Sequence, residues 1–379
     1  MICIKKIEPI LVSCNYGDGK VLGQPLGVKT IGLVQVSLSN GTVGFGEAYV
    51  GIYVPDLFRE LVNFFSKILI NTKFELPNKI YKRLYIPFCS RNGLMASAYS
   101  AIDTALWDAY CKSNKISFAE ANNLVIESNK KIYWSGGSAA FSTLEIEEEL
   151  KELNYDIFSG YKLRIGRQNW DLDRNRIEVA KAKFLTDYLM IDAIMGTIRP
   201  AWNLKEWIEK KDFINLVNPY WIEEPLNPEN INEIIDLKKL LKSKIAFGEA
   251  LTGILELNAY INCPGIDVLQ LDFTHLGGPS TFLEIKNIIE KSKKRVAMHI
   301  WGSPIAFNVN AYLGMCLKNC DWIEYPSVNL EISKYIDENY YNRMPSLMQV
   351  SNLIGFTNSY VNNINFRDFK YIPNSGFRL

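Results

Sequence analysis

The last two thirds of the chain alternate short apolar segments with amphipathic ones, and this alternation restricts the fold more than any other feature. Amphipathic stretches, such as the one that carries Ile177, Ala180 and Phe184, have helical spacing. Apolar strands that alternate with helices predict a parallel sheet. The eight predicted strands are residues 132–135, 161–165, 188–192, 220–224, 244–249, 268–272, 296–299 and 322–325.

Eight strands of this kind close into a barrel, whereas a doubly wound open sheet usually has fewer strands. The open sheet is further disfavoured because no Gly-rich nucleotide fingerprint begins a predicted helix. We therefore predict an α/β fold with a (β/α) barrel from about residue 130 onwards.

The N-terminal part has a different pattern, with strand signals first and helices afterwards. Residues 31–38 alternate, and Asn40-Gly41 then predicts a type I′ hairpin. Residues 55–66 and 94–110 have helical periodicity, and residues 13–27, with four glycines, predict a long loop. This order predicts a separate small α+β domain.

Charge and cysteine content exclude several classes of function. The 42 Lys+Arg and 41 Asp+Glu give a formal charge of +1, which does not favour a nucleic-acid-binding face. The first residues have no apolar core of a secretory signal, and no run of 18 uncharged apolar residues predicts a membrane span. The seven dispersed cysteines lack the paired spacing of a zinc site, so we expect reduced thiols and a cytoplasmic protein.

Ionisable residues stand at the ends of seven consecutive predicted strands. In a barrel of this type the C-terminal strand ends meet at one mouth, where active sites are built. One acidic residue at such a position is usually structural, for example a helix cap, but seven in succession indicate a site. These residues are Lys162 and Arg164, Asp192, Glu223, Glu249, Asp272, His299 and Glu324.

Three of these carboxylates, Asp192, Glu223 and Glu249, come from adjacent strands. Like charges that close together repel one another unless a cation neutralises them. An all-oxygen set with open positions suits Mg²⁺, whereas zinc would prefer nitrogen or sulfur ligands. The alternative is three separately hydrogen-bonded structural carboxylates.

Asp272 and His299 end the next two strands. An aspartate beside an imidazole fixes its tautomer and raises its basicity, so the pair suits a general base. A single histidine at a strand end is more often a packed residue, but the surrounding ionisable groups favour catalysis here. His275, three residues beyond Asp272, is interpreted instead as a loop residue that makes a hydrogen bond.

These segments resemble the mandelate racemase group of the enolase superfamily, also called the mandelate racemase/muconate lactonizing enzyme family. The resemblance runs from about residue 5 to 330, in the family's order and spacing, and includes Ala101-Ile-Asp103-Thr-Ala-Leu-Trp107-Asp108 near the N-terminus. The barrel segments that carry it are Tyr161-Lys-Leu-Arg164, Met190-Ile-Asp192-Ala, Trp221-Ile-Glu223-Glu-Pro225, Gly248-Glu249, Leu271-Asp272-Phe-Thr-His-Leu-Gly-Gly278, Met298-His299 and Trp322-Ile-Glu324.

The resemblance implies a modified TIM barrel, (β/α)7β, with an N-terminal α+β capping domain and a C-terminal segment that returns to it. The expected boundaries are 1–125 for the capping domain, 126–350 for the barrel and 351–379 for the returning segment. It also implies one essential Mg²⁺ and a first step that removes the proton α to a substrate carboxylate.

The resemblance assigns a role to each strand-end residue. His299 would be the base and Asp272 its orienting partner. Glu324 would hydrogen-bond the developing enolate oxygen, and Lys162 would contact the substrate carboxylate. The implied Mg²⁺ ligands are Asp192, Glu223 and Glu249.

Two departures from the family pattern narrow the expected chemistry. Arg164 stands where relatives have a second basic lysine, and guanidinium is a poor proton acceptor. Ile194 stands where relatives often have Asn or His. One credible base, His299, remains. A single acid–base residue suits dehydration of an acid sugar, an aldonate or aldarate, to a 2-keto-3-deoxy acid, a reaction of carbohydrate catabolism.

Two alternatives stay open. A racemase or epimerase of a 2-hydroxy acid would need Arg164 or another group as a second base, and a non-catalytic carboxylate-binding relative would need no base at all. The partner is expected to be a small-molecule carboxylate, with no nucleic acid or membrane, and the protein is expected to be a homo-oligomer. By the resemblance, substrate contacts would come from two loops of the capping domain, residues 13–27 and the stretch near residues 49–53. The candidates are Asn15, Tyr16, Lys20 and Tyr49, and a solvated loop is the equal alternative.

Overall fold

An antiparallel sheet covered by helices forms the N-terminal part of the protein, as the sequence predicted. The computed structural model describes residues 1–16, 27–87, 89–90, 93–184 and 188–377. The strands lie in the order β1-β2-β3. They are β1 (Ile4–Asn15), β2 (Val28–Leu38) and β3 (Val43–Ala48), and the helices are α1 (Val50–Tyr53), α2 (Pro55–Leu69), α3 (Pro77–Tyr81), α4 (Gly93–Asn114) and α5 (Phe118–Asn122).

The hairpin between β2 and β3 differs from the predicted type I′ turn. Type I′ requires positive φ at both central residues, but of Asn40 and Gly41 only Gly41 has a positive φ, of 85°. The turn hydrogen bond runs from Gly41 N to Leu38 O, and Leu38 N donates to Thr42 O. The connection spans residues 39–42, which is longer than the two-residue loop of a type I′ hairpin, and it needs one left-handed residue instead of two.

Eight parallel strands close into a barrel, which confirms the predicted fold. Each of the eight apolar segments forms one strand, and the first seven are each followed by a helix before the next strand. The structure is therefore a (β/α)7β barrel. The strands are β4 (Lys131–Ser135), β5 (Phe158–Arg164), β6 (Leu189–Asp192), β7 (Trp221–Glu223), β8 (Lys244–Phe247), β9 (Val268–Leu271), β10 (Arg295–Met298) and β11 (Cys320–Pro326).

The barrel helices begin where the sequence supplies capping residues. Ser142 accepts a hydrogen bond from Glu145 N in a capping box, and Asn203 with Glu206 forms another. Their apolar faces are buried against the strands, as for Phe282. The helices are α6 (Thr143–Lys151), α7 (Trp170–Lys183), α8 (Leu204–Val217), α9 (Ile231–Leu240), α10 (Ile254–Asn262), α11 (Gly278–Lys291), α12 (Pro304–Met315), α13 (Ser333–Ile336), α14 (Glu338–Tyr341) and α15 (Leu347–Ser351).

Helix α4 joins the N-terminal sheet to the barrel. Buried Asp103 accepts hydrogen bonds from Ser280 N and Ser280 Oγ, both at 2.6 Å, at the first turn of α11. On its other side, α4 packs directly on β3: a Cβ on Gly46 would lie 2.1 Å from Ala101 O, so only glycine allows this approach. The sheet is thereby fixed against the barrel through one helix.

The C-terminal residues return to the N-terminal part of the chain. Asp108 of α4 accepts hydrogen bonds from Phe356 N at 2.8 Å and Thr357 N at 3.0 Å. Farther along, Phe377 N donates to Ile52 O at 2.8 Å. The domain boundaries at residues 125 and 350 stay predictions.

Two other expectations concern the described residues as a whole. In the described ranges no helix is long and apolar enough to cross a membrane. All seven cysteines are free, as expected from their spacing.

Candidate active site

A pocket opens at the C-terminal mouth of the barrel, where the sequence predicted it. Most of the predicted strand-end residues line it, and they are joined by side chains from the N-terminal part of the chain and from the C-terminal segment. The lining residues are Tyr16, Tyr49, Tyr53, Ser135, Ser138, Ala139, Phe141, Lys162, Arg164, Asp192, Ile194, Thr197, Glu249, His299, Trp301, Pro326, Ser327, Val328 and Phe377.

His299 and Asp272 form the predicted dyad. Each follows directly on the last residue of its strand, β10 or β9, and His299 Nδ1 lies 2.9 Å from Asp272 Oδ2. The other oxygen, Asp272 Oδ1, accepts hydrogen bonds from Thr274 N at 2.8 Å, Thr274 Oγ1 at 2.7 Å and Asn310 Nδ2 at 2.8 Å. Burial opposes ionisation, but these donors and His299 hold the pKa of Asp272 below its usual value. Asp272 therefore has one oxygen free to fix the imidazole.

The second ring nitrogen of His299 points towards the carboxylates. Its Nε2 lies 3.4 Å from Glu249 Oε2. Burial alone would lower the pKa of His299, but the negative charges of Glu249, Glu324 and Asp272 together raise it to about 9. The imidazole is thus basic, and its reactive nitrogen faces the pocket.

Lys162 lies at the centre of the acidic cluster. Its Nζ is 2.8 Å from Glu223 Oε1, 2.8 Å from Glu324 Oε1 and 3.7 Å from Asp192 Oδ2. Burial disfavours its charge, but these carboxylates raise its pKa above the ordinary value. Lys162 is therefore a fixed cation and not a proton acceptor.

Glu324 has the opposite shift. Burial opposes its ionisation, yet Lys162, His299 and Arg164 hold its pKa at about 2. Its second oxygen accepts a hydrogen bond from Ile300 N at 2.9 Å, in the loop that follows His299. Glu324 thus stays ionised and links the base-bearing loop to Lys162.

Arg164 is the more exposed cation of the pocket, with 24% of its side chain accessible. Its Nη2 donates to Ser135 Oγ at 2.8 Å and its Nη1 donates to Gly136 O at 3.0 Å, while Nε lies 3.7 Å from Asp192 Oδ2. Burial disfavours its charge, but Asp192 and Glu324 raise its pKa. It is well placed to hold an anion and unsuited to accept a proton.

The three predicted metal ligands lie on consecutive barrel strands or just beyond them, and they repel one another. Burial, followed by the charge of Asp192, raises the pKa of Glu223 to about 8, and burial likewise raises the pKa of Glu249. Glu223 Oε2 is buried without a hydrogen-bond partner. In the described part of the chain no group of three or more His, Cys, Asp and Glu side chains is arranged as a metal site. The oxygen donors and the unpartnered Glu223 oxygen fit a hard cation by chemistry.

Glu224 ends the predicted strand 220–224 together with Glu223, but the sequence assigned no role to it. It is buried, accepts a hydrogen bond from Gly196 N at 3.1 Å, and has a pKa raised well above its usual value by burial and by Glu249. Consecutive residues of a strand point to opposite sides, so its sequence position gave no role beside that of Glu223.

The predicted substrate contacts have different locations. Tyr16 and Tyr49 line the pocket, whereas Asn15 is exposed at the end of β1 and is not among the lining residues. Tyr16 OH accepts a hydrogen bond from Trp301 Nε1 at 3.0 Å, and Tyr49 OH lies 3.5 Å from Glu249 Oε1. Residues 13–15 of the predicted loop belong to β1, and Lys20 lies outside the described residues.

His275 does not act as the predicted hydrogen-bonding loop residue through Nδ1. That atom is buried with no partner among the described residues, and burial lowers the pKa of the imidazole to about 4. Its ring packs edge-on against Tyr49 at a centroid distance of 5.2 Å. His275 is therefore a neutral packing residue.

Several lining residues were missed by sequence reasoning. Trp301 lies two residues beyond His299, and this proximity was a usable signal. Tyr53 lies on the predicted contact stretch near residues 49–53 but was not named as a candidate. Phe377 gave no such signal, because it is 78 residues in sequence from His299 and reaches the pocket only through the returning C-terminal segment.

Comparison with known proteins agrees with this geometry. Residues 145–356 match the family model described as "Enolase C-terminal domain-like". The chain is 28% identical over 326 residues to L-talarate/galactarate dehydratase of Salmonella typhimurium, covering 81% of this chain and 76% of that protein. It is 25% identical over 287 residues to D-gluconate/D-galactonate dehydratase of Picrophilus torridus, covering 73% of this chain and 72% of that protein. A solved enolase superfamily member from Polaromonas sp. JS666 shares the fold over 100% of both chains, with a TM-score of 0.81 and 18% identity.

Proposed function

We propose that this chain, which belongs to the enolase C-terminal domain-like family, is a Mg²⁺-dependent dehydratase of an acid sugar. The observation that carries the proposal is the asymmetry of the pocket. One imidazole, His299, is oriented by Asp272 at 2.9 Å, whereas the neighbouring Lys162 and Arg164 are held as cations by carboxylates. The named dehydratase relatives support the same reaction class.

The substrate carboxylate would bind beside Arg164, the more exposed of the two cations. Bidentate donation by a guanidinium suits a carboxylate and orients the α-carbon. Asp192, Glu223 and Glu249 would hold Mg²⁺, which when bound supplies Lewis-acid stabilisation of the carboxylate oxygens. Lys162 would supply positive charge where the enediolate develops its negative charge. Glu324, ionised and 2.8 Å from Lys162 Nζ, would hold that lysine in place, and it would have to take up a proton before it could donate the hydrogen bond to the enolate oxygen that the resemblance implies.

The chemical step would use His299 twice. The charge of Glu249 helps to raise the pKa of His299 to about 9, so His299 would serve as base once a bound cation neutralises that charge. Nε2 of the neutral imidazole would then accept the α-proton, and the C–O bond to the β-hydroxyl would break as the same proton passes to the departing oxygen to form water. The resulting enol tautomerises to a 2-keto-3-deoxy acid. Because acid and base are the same residue, the α-proton and the β-hydroxyl must depart from the same face of the substrate.

Racemisation is a weaker candidate because it needs a base on each face of the α-carbon. Arg164 stands at the second position, and its raised pKa keeps it protonated. A non-catalytic role is weaker still, since it gives no reason for the ordered His299–Asp272 contact. A cytoplasmic location and a homo-oligomeric state stay predictions.

The test is a screen of Mg²⁺-loaded protein against an acid-sugar library with detection of 2-keto product. His299→Asn should abolish turnover, and His275→Asn, a matched change at the packed histidine, should keep most of it. In D₂O a dehydratase releases 2-keto product and its recovered substrate contains no epimer. An epimerase instead returns the epimer with deuterium at the α-carbon. Turnover that survives His299→Asn would contradict the mechanism.

A further inference from the structure

Three aromatic rings from distant parts of the chain meet on one wall of the pocket. They are Tyr53 at the end of α1, Trp301 just beyond β10, and Phe377 near the C-terminus. The ring centroids of Phe377 and Trp301 are 5.0 Å apart, those of Phe377 and Tyr53 are 5.3 Å apart, and those of Tyr53 and Trp301 are 6.0 Å apart. We call these three side chains the aromatic wall.

The C-terminal segment is fixed so that Phe377 stays in this wall. Phe377 N donates to Ile52 O at 2.8 Å, which ties it to α1. The preceding Gly376 packs so closely on Tyr53 that an added Cβ would lie 2.2 Å from Tyr53 O. Earlier in the segment, Ile372 N donates to Ser13 Oγ of β1 at 3.0 Å. Several contacts therefore fix the position of Phe377.

The charged groups that line the pocket come from elsewhere. Lys29 Nζ lies 3.9 Å from the centroid of the Trp301 ring, but Lys29 is buried, donates to Trp301 O at 2.6 Å and is not among the lining residues. Among the described lining residues, the cations Lys162 and Arg164 are both on β5, and His299 follows β10.

An aromatic face packs well against C–H groups and has no hydrogen-bond donor to replace water at a carboxylate. The polar groups at the ring edges already have partners, because Trp301 Nε1 donates to Tyr16 OH at 3.0 Å and Tyr53 OH pairs with Tyr49 OH at 2.9 Å. A substrate whose first carboxylate lies at Arg164 would place its other end against neutral or apolar groups wherever it reaches the aromatic wall.

We propose that Phe377 is a specificity-determining residue and that the substrate is a monocarboxylate, an aldonate with a neutral distal end, and not an aldarate. This inference rests on the proposed dehydratase function and names the substrate class of the same site. A dicarboxylate would leave its second charge against the rings of Tyr53, Trp301 and Phe377, where desolvation disfavours it.

The experiment compares kcat/KM for six-carbon aldonates and the corresponding aldarates in wild type, Phe377→Ala and Phe366→Ala. Phe366 is a matched control, because it lies in the same C-terminal segment but packs against Phe45 at 5.8 Å and is not among the lining residues. Wild type should prefer aldonates by about a hundredfold. Phe377→Ala should reduce this preference about tenfold or more by admitting water to the distal end, and Phe366→Ala should leave it unchanged.

Binding constants for the same acids, measured by calorimetry, separate this inference from the proposed function. If no acid sugar is turned over by metal-loaded wild type, the dehydratase proposal fails, while a monocarboxylate preference in binding that depends on Phe377 still supports the aromatic wall. A wild-type preference for aldarates overturns the inference, and so does a Phe377→Ala preference that matches Phe366→Ala. Loss of aldarate binding in Lys20→Ala would assign the second carboxylate to Lys20 and overturn it as well.

Discussion

Replacing Asp272 by Asn should switch the tautomer of His299 with little change of shape. Asp272 Oδ1 accepts hydrogen bonds from Thr274 N, Thr274 Oγ1 and Asn310 Nδ2, and Oδ2 faces His299 Nδ1 at 2.9 Å. In the variant the amide oxygen must stay where the three donors converge, so the amide NH₂ replaces Oδ2. It then donates to Nδ1, and the proton of the neutral imidazole moves to Nε2, which can no longer accept the α-proton.

The size of the effect follows from the cost of the opposite amide orientation. Turning the amide round would set its NH₂ against the N–H groups of Thr274 and Asn310 and leave two buried donors without an acceptor. At about 1–3 kcal/mol for each buried donor, the active orientation is disfavoured by about 2–6 kcal/mol. Turnover should therefore fall by about 30-fold to about 10⁴-fold, while KM changes little.

The assay combines kcat with nitrogen-15 NMR of the imidazoles. The chain has only two histidines, so His275→Gln assigns both spectra. Wild type should show a proton on Nδ1 of neutral or charged His299, and Asp272→Asn should show the Nε2–H tautomer. Asp321→Asn changes a half-buried carboxylate that pairs with Arg295, and this control should behave as wild type. A kcat within fivefold of wild type in Asp272→Asn, or an Nδ1–H tautomer, would refute the reasoning.

Three further predictions concern stability and metal binding. Glu47→Ala should lower the free energy of unfolding by about 2–4 kcal/mol in urea titrations, because buried Glu47 accepts hydrogen bonds from Ser303 N and from Ala306 N at the start of α12. An unchanged midpoint would contradict this. Burial raises the pKa of Asp103 from 3.8 to about 7, so between these pH values the folded chain keeps a proton that the unfolded chain has lost. The contribution of this proton to the free energy of unfolding is full below about pH 4 and falls by about 1.4 kcal/mol per pH unit towards pH 7. Asp103→Asn should flatten that slope in unfolding curves between pH 4 and 8, and an equal slope in both proteins would count against it. Chelation should abolish turnover, and the Mg²⁺-dependent rise of Tm in wild type should shrink strongly in Glu223→Gln; a full rise in the variant would argue against Glu223 as a ligand.

The barrel and most of its strand-end residues were predictable because the local sequence pattern determines where each strand lies and where it ends. A strand buried on both faces must be apolar, and its last residue must reach the barrel mouth, so periodicity alone located Asp192, Asp272 and His299. The resemblance to a known family supplied roles for these residues that periodicity could not. The hairpin turn at Gly41 was the local feature predicted wrongly, because the dipeptide signal leaves the loop length open.

The sequence by itself determined which chemical groups stand at the barrel mouth, since a strand end is a local position. Only the tertiary structure decided how those groups are charged and what surrounds them. The ion pairs hold Lys162 as a cation, the donors of Thr274 and Asn310 fix Asp272, and Phe377 reaches the aromatic wall. Apart from Thr274, which lies two residues beyond Asp272, these contacts join residues far apart in the chain. The pKa of a buried group depends on all its neighbours in space, which local periodicity does not record.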